Sequence, residues 1–130
     1  IEDRVVGLLE VYDVLERALV QSFDHAALRR IRAMDRGIRL GALIAELPLD
    51  AAVVAPGMAD AICPGDHLLT AGEDVDRILR AGLDCHVWTV NEPARMDRLV
   101  EWHVSGIITD RPGVLRGRLG CHGGASTAPP

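Results

Sequence analysis

His86-Val87-Trp88-Thr89-Val90, Pro93 through Trp102, and Gly106-Ile107-Ile108-Thr109 follow one another with few residues between them. The first and last are short apolar runs rich in β-branched side chains, the pattern of a strand covered on both faces. Between them Met96, Leu99 and Val100 recur at helical spacing. Pro93 stands at a first-turn position, where its missing N–H costs nothing. A strand, a helix and a second strand in so short a span make a β-α-β unit, with parallel strands and a right-handed crossover.

The same alternation extends upstream. Thr70-Ala71-Gly72-Glu73 has the Thr-x-x-Glu layout of a capping box, and predicts a helix with Val75, Ile78 and Leu79 inward that stops at Gly82. Ile62-Cys63-Pro64 reads as a brief strand. It is preceded by a weakly patterned stretch from Asp50 to Ala61, punctuated by Pro56-Gly57, and by a strand from Ile38 to Ile44 bounded by Pro48. Ala18 to Phe23 predicts a buried strand. Asp24 is a good N-cap for a helix from His25 to Asp35, with Leu28, Ile31 and Met34 inward and Gly37 as a left-handed stop. From Glu2 to Tyr12, Val5, Leu8, Leu9 and Tyr12 mark the inner face of an amphipathic helix. Downstream, Asp110-Arg111-Pro112 caps a last short turn through Leu115. The Gly, Ala, Ser, Thr and Pro-rich end reads as a disordered tail, which divides the chain into a domain over 1–116 and a tail over 117–130.

Strands are therefore expected to begin near 18, 38, 61, 86 and 106. A doubly wound open sheet and an arc of a (β/α)8 barrel both fit. The open sheet usually carries a Gly-rich phosphate loop after its first strand, and neither G-x-G-x-x-G nor G-x-x-x-x-G-K-[ST] occurs. A whole barrel needs roughly 200 residues or more. The expected fold is α/β: about five βα units of a (β/α)8 TIM-type barrel, incomplete as given.

Composition narrows the function. A formal charge of -5 argues against a nucleic-acid partner. All 14 basic residues are Arg, as genomic base composition would produce. Cys63, Cys85 and Cys121 are odd in number and irregularly spaced, which implies no disulfide framework and a reducing, cytoplasmic setting. With no C-x-x-C pair, a zinc site with His67, His86 and His122 is not expected. No apolar run is long enough for a transmembrane segment, and the N-terminus lacks the layout of a signal peptide.

Four segments carry more than periodicity: Val20-Gln21-Ser22-Phe23-Asp24; Leu68-Leu69-Thr70 ahead of a helix ending Ala81-Gly82-Leu83; Val87-Trp88-Thr89-Val90-Asn91; and Gly106-Ile107-Ile108-Thr109-Asp110-Arg111-Pro112. Together they resemble the C-terminal half of the glycerophosphodiester phosphodiesterase family, itself similar to the phosphatidylinositol-specific phospholipase and sphingomyelinase D barrels. The resemblance spans roughly Val5 to Leu115. It implies a hydrolase that converts a glycerophosphodiester and water to glycerol 3-phosphate and an alcohol, with a divalent cation, Mg or Ca, polarising the phosphoryl group and two His acting as acid and base. The family's His-Arg, Glu-x-Asp and Glu-x-Lys motifs are absent here and would lie upstream of Ile1. The expected consequence is a chain that binds no metal alone and is inactive alone. The sequence also departs from the family at His103-Val104-Ser105-Gly106, where G-V-D-G is usual, at Gly113 in place of an Asp, and at Ile78-Leu79-Arg80, where an Ala-His is common.

The resemblance marks Trp88, near the end of its strand, as a wall of the substrate pocket, because barrel active sites are built at the C-terminal ends of the strands. Ser22 and Phe23 end an earlier strand and are candidates for the same pocket, although strand-end packing and capping also explain them. Asn91 could reach the site, but capping the helix at Pro93 suits it as well. Asp110 reads as a turn residue, His86 as a packed imidazole toward the bottom of the barrel, and His25 as a helix-start residue near the rim. Arg29, Arg30, Arg32 and Arg36 look like a phosphate or headgroup patch, but Asp24 and Asp35 offset them and a solvated helix face is the simpler reading. A second reading is a non-catalytic pseudoenzyme or oligomeric module, since an open arc leaves two unpaired strand edges available for self-association.

Overall fold

A computed structural model describes residues 1–46 and 57–122. Its elements are α1 (Glu2–Val11), β1 (Leu19–Ser22), α2 (His25–Met34), β2 (Arg39–Ile44), β3 (Ala61–Pro64), α3 (Gly72–Arg80), β4 (Asp84–Val87), α4 (Pro93–Glu101), β5 (Gly106–Ile107) and α5 (Pro112–His122). The strands lie in the order β1-β2-β3-β4-β5 and every pair is parallel. Each strand's neighbour in space is thus its neighbour in sequence. A doubly wound sheet reverses its strand order at a switch point; this one never does. Winding in one direction is the topology of a barrel, and the five strands form an arc of it.

Register sorts the side chains into two faces. Leu40, Ala42, Ile62, Cys85 and Val87, with the partly buried Val20 and Ile107, pack in one cluster with Leu28 and Ile31 of α2, Val75 and Ile78 of α3, and Met96 and Leu99 of α4. Each such large side chain, fully buried, contributes about 1.5–3 kcal/mol. The alternate residues line the concave face. There Gln21 Nε2 donates to Cys63 Sγ at 3.3 Å. A Cβ on Gly41 would meet Cys63 Sγ at 2.8 Å, and one on Gly106 would meet the His86 ring at 2.8 Å. Glycine at these two positions lets neighbouring side chains lean across the narrowing lumen.

Local chemistry explains where the helices start and stop. Asp24 caps α2 as expected, its Oδ1 accepting from Ala26 N at 2.9 Å and Ala27 N at 3.1 Å. Helices α1, α3 and α4 share one ending: a residue at positive φ follows the C-cap, with paired bonds back to the last turn. In α3 that residue is Gly82 (φ 78°), with Gly82 N bonding Leu79 O and Leu83 N bonding Ile78 O. The same place is taken by Asp13 (φ 52°) after α1 and by His103 (φ 59°) after α4.

Several expectations change. The cap of α3 is one residue later than Thr70-x-x-Glu73: Asp74 Oδ2 accepts from Thr70 N, Thr70 Oγ1 and Ala71 N. Helix α2 ends with Asp35 extended, and Asp35 Oδ1 accepts from Gly37 N at 2.6 Å, so Gly37 is not a left-handed stop. Met34 is 46% exposed. In α1 it is Val6 that is buried, with Leu9 packed on the core, whereas Leu8 and Tyr12 face outward; the helix packs chiefly on the neighbouring α2. Strand β1 is half-buried throughout because only β2 pairs with it. Helix α5 continues to His122, so the boundary drawn at 116 falls inside a helix. Pro48, the stretch from Asp50 to Pro56 and the tail from 123 onward lie outside the described residues.

Candidate functional site at the upper strand ends

Parallel strands put all their C-terminal ends at one rim, and the loops leaving that rim carry the four residues marked in the sequence. Phe23 follows β1 and Trp88 follows β4, with two strands between them. On a flat sheet three strand spacings would put about 14 Å between their Cα rows. Their rings instead meet edge to face, centroids 5.5 Å apart at 84°. Curvature of the sheet brings them together, and this inward orientation of Trp88 sets aside the open-sheet alternative. Edge-to-face geometry suits the ring quadrupoles. Phe23 is 58% exposed, so much of its ring stays free.

Trp88 is held on three sides. Its Nε1 donates to Cys63 O at 2.7 Å. Its backbone N donates to Pro64 O at 3.1 Å, and its carbonyl accepts from Asp66 N at 2.7 Å. The Trp88–Thr89 peptide bond is cis. Asp66 is fixed in turn by Arg95 of α4, whose Nε donates to Asp66 Oδ1 at 2.7 Å and whose Nη2 reaches Leu69 O at 2.7 Å. The same guanidinium lies 4.9 Å from the centre of the Trp102 ring.

The other two candidates take structural duties. The Ser22 hydroxyl accepts from Asp24 N at 3.0 Å, closing the turn into α2. Asn91 is not a helix cap, since Glu92 holds the N-cap of α4 and makes no side-chain cap bond. Its amide instead joins two rim loops: Nδ2 donates to Asp110 Oδ2 at 2.8 Å, while Oδ1 accepts from Thr109 Oγ1 at 3.1 Å and Asp110 N at 3.0 Å. Asp110 is thus a loop residue locked by an amide. His25 Nε2 donates to Leu43 O at 3.0 Å, so it pins the exit of β2. Reading the sequence missed Thr109, Asp66 and Arg95. Only Thr109 had a signal, as a hydroxyl in the Gly106 to Pro112 segment.

Cys63 and Cys85 are free and buried. Burial pushes the Cys63 and Cys85 thiols up to about 12, which keeps both protonated at neutral pH. Among the described residues no three His, Cys, Asp or Glu side chains come together as a metal ion would need. No helix of the described residues is long and apolar enough to cross a membrane.

This arc and this rim have counterparts. A profile of the Glycerophosphoryl diester phosphodiesterase family matches residues 2–114. Over 115 residues the chain is 27% identical to the glycerophosphodiester phosphodiesterase of Caldanaerobacter subterraneus subsp. tengcongensis, an alignment covering 88% of this chain and 47% of that protein. A Silicibacter pomeroyi crystal structure assigned as a glycerophosphoryl diester phosphodiesterase superposes with a TM-score of 0.84 at 26% identity, over 94% of this chain and 44% of that one. An Oleispira antarctica phosphodiesterase, solved in complex with the product sn-glycerol-3-phosphate, superposes with a TM-score of 0.74 at 18% identity, over 92% of this chain and 50% of that one. The chain spans about half the length of the relatives it matches. By this profile match, the chain belongs to the glycerophosphoryl diester phosphodiesterase family.

Proposed function

We propose that this chain supplies one wall of the substrate pocket in a phosphodiesterase that hydrolyses glycerophosphodiesters to glycerol 3-phosphate and an alcohol. The observation that carries this reading is the Phe23–Trp88 pair, aromatic, partly exposed and seated at the rim where barrel enzymes bind substrate. Product bound in the Oleispira antarctica relative supports glycerol 3-phosphate as the shape to be accommodated. Trp88 and Phe23 offer an apolar face to the glycerol carbons, and Ser22 and Asn91 border it with polar groups. A divalent cation, Mg or Ca, would polarise the phosphoryl group in the family's reaction. Among the described residues no three His, Cys, Asp or Glu side chains come together, and the part read for this chain is to bind and orient. Alone, it turns over no substrate.

With Trp102 replaced by Phe, Trp88 becomes the sole indole, and its fluorescence should respond to titration with glycerol 3-phosphate. No response would remove the wall reading. Hydrolysis of glycerophosphocholine by the chain with added Mg²⁺ or Ca²⁺ should stay at the blank, and turnover that Trp88→Ala abolishes would sink the claim of inactivity.

A second reading, an interaction module that self-associates, is favoured by one observation. Ile1, Leu8, Val11 and Tyr12 are exposed apolar residues along and at the ends of α1, and β1 is an edge strand of the described sheet. Light scattering after size exclusion should then give a defined oligomer that Leu8→Arg/Val11→Arg dissociates. A monomer at every concentration would count against it.

A further inference from the structure

At the opposite, lower end of the strands, the C-terminal half of α2 and the approaches to β2 and β3 border an open cleft of about 680 Å³ lined by Arg29, Arg32, Ala33, Arg36, Gly57 and Asp60. Three guanidinium groups thus face one carboxylate, in a chain whose formal charge is -5. That carboxylate is already engaged. Asp60 Oδ2 accepts from Arg32 Nη2 at 2.6 Å and from Leu40 N at 2.8 Å.

The arginines divide by role. Arg32 is structural, because its Nη1 also donates to Arg36 O at 2.8 Å and Ile38 O at 2.9 Å, fastening the turn between α2 and β2. Its Nε is nevertheless buried with no hydrogen-bond partner. Leaving such a donor unmet costs about 1–3 kcal/mol. Arg29 makes a weak contact, Nη1 to Met58 Sδ at 3.4 Å, and the Arg36 side chain bonds nothing among the described residues. Arg29 and Arg32 lie one turn apart on α2, and Arg36, on the turn beyond its end, lines the same cleft.

We propose that this cleft is a second site, separate from the substrate rim, that binds the phosphate group of a small phosphorylated molecule. The lining dictates the class. Guanidinium groups dominate the described lining, and they recognise negative charge. Several planar forks around one cleft suit a tetrahedral dianion with several acceptor oxygens better than a lone carboxylate. The volume lies within the range of small-molecule sites. Its place at the lower end, away from where barrel enzymes do chemistry, makes it an accessory site.

Inorganic phosphate is the probe. Calorimetric titration of the full chain at low salt should show saturable one-to-one binding that weakens as NaCl is added. Arg29→Ala/Arg36→Ala should weaken it by about tenfold or more. Arg4→Ala/Arg116→Ala removes the same charge from exposed positions outside the cleft and should leave it within about twofold. Absence of saturable binding, or equal losses in the two variants, overturns the proposal. If the first variant does not keep its circular dichroism melt, Arg29→Lys/Arg36→Lys replaces it. That pair retains charge, loses the forks, and must still bind more weakly than the unaltered chain. Phosphatidylcholine vesicles doped with phosphatidic acid separate the two sources of this chemistry. Sedimentation with them that only the cleft variant loses identifies a lipid headgroup, whereas sedimentation unchanged in that variant, with free phosphate still bound through the cleft, identifies a small molecule in solution.

Discussion

The two ends of the strands are built from different chemistry. At the upper end, aromatic and neutral polar groups predominate: the Phe23–Trp88 pair, the Trp88 indole on a carbonyl, and the Asn91 amide spanning two loops. At the lower end, ion pairs predominate. Arg39 Nη2 meets Asp84 Oδ2 at 2.6 Å across the foot of the sheet, Arg32 meets Asp60 at the same distance, and the His86 ring lies 4.0 Å from Asp84. The lower pairs begin the strands and fix their register, so the upper loops can be shaped around a pocket. Division of stability and function between the ends is what barrel architecture favours.

Asp60→Ala should give the largest effect on this contrast. It strips Arg32, 19% exposed, of its carboxylate and Leu40 N of its acceptor, and should cost about 2–3 kcal/mol in urea unfolding. A loss under about 0.5 kcal/mol would mean the lower end does not hold the sheet. Asn91→Ala at the upper rim should cost less, about 1–2 kcal/mol, because water reaches its partners. If it costs more than Asp60→Ala, the two ends have been assigned the wrong way round.

Smaller changes sharpen the picture. The helices run back to the lower end, where α4 ends on His103 at φ 59°, in the segment where the family usually reads G-V-D-G. His103→Gly removes the left-handed penalty of a side chain and should stabilise by about 1 kcal/mol, raising the thermal midpoint. A fall in the midpoint would show that the imidazole contributes something the backbone does not reveal. The smallest effect is that of pH. Burial holds His86 below its usual 6.5, against the pull of Asp84 and with help from Arg39. The unfolded chain therefore takes up the proton more readily than the folded one. Stability from this group is complete above the unfolded value and falls as pH drops through it toward the folded one. His86→Gln should flatten the decline in thermal midpoint between about pH 7.5 and about pH 5. An unchanged slope would clear His86 of any part in it.

Much of the fold could be read from local pattern. Strands expected near 18, 38, 61, 86 and 106 begin at 19, 39, 61, 84 and 106. Asp24, Gly82 and Pro93 mark helix boundaries as their chemistry requires, since caps and first turns are decided within a few residues. Where local signals competed, reading failed: Asp74 outdid Glu73 for the same cap, and Asn91, equally able to cap, found better partners in Thr109 and Asp110. The site was legible only as positions. Trp88 and Phe23 were each marked, but their meeting was not, and Asp66 and Arg95 carried no signal at all.

By itself, then, the sequence determined the alternation of parallel strands and helices, the caps that bound them, and, through the Trp88 and Gly106 segments, the family. Tertiary structure decided the rest: which face of α1 is left uncovered, how Trp88 is held, and where two arginines of α2 and one from the turn after it line a single cleft. The reason is range. Hydrophobic period and capping act between residues a turn apart, whereas the rim and the cleft are made by side chains far apart in sequence, brought together only when the sheet curls.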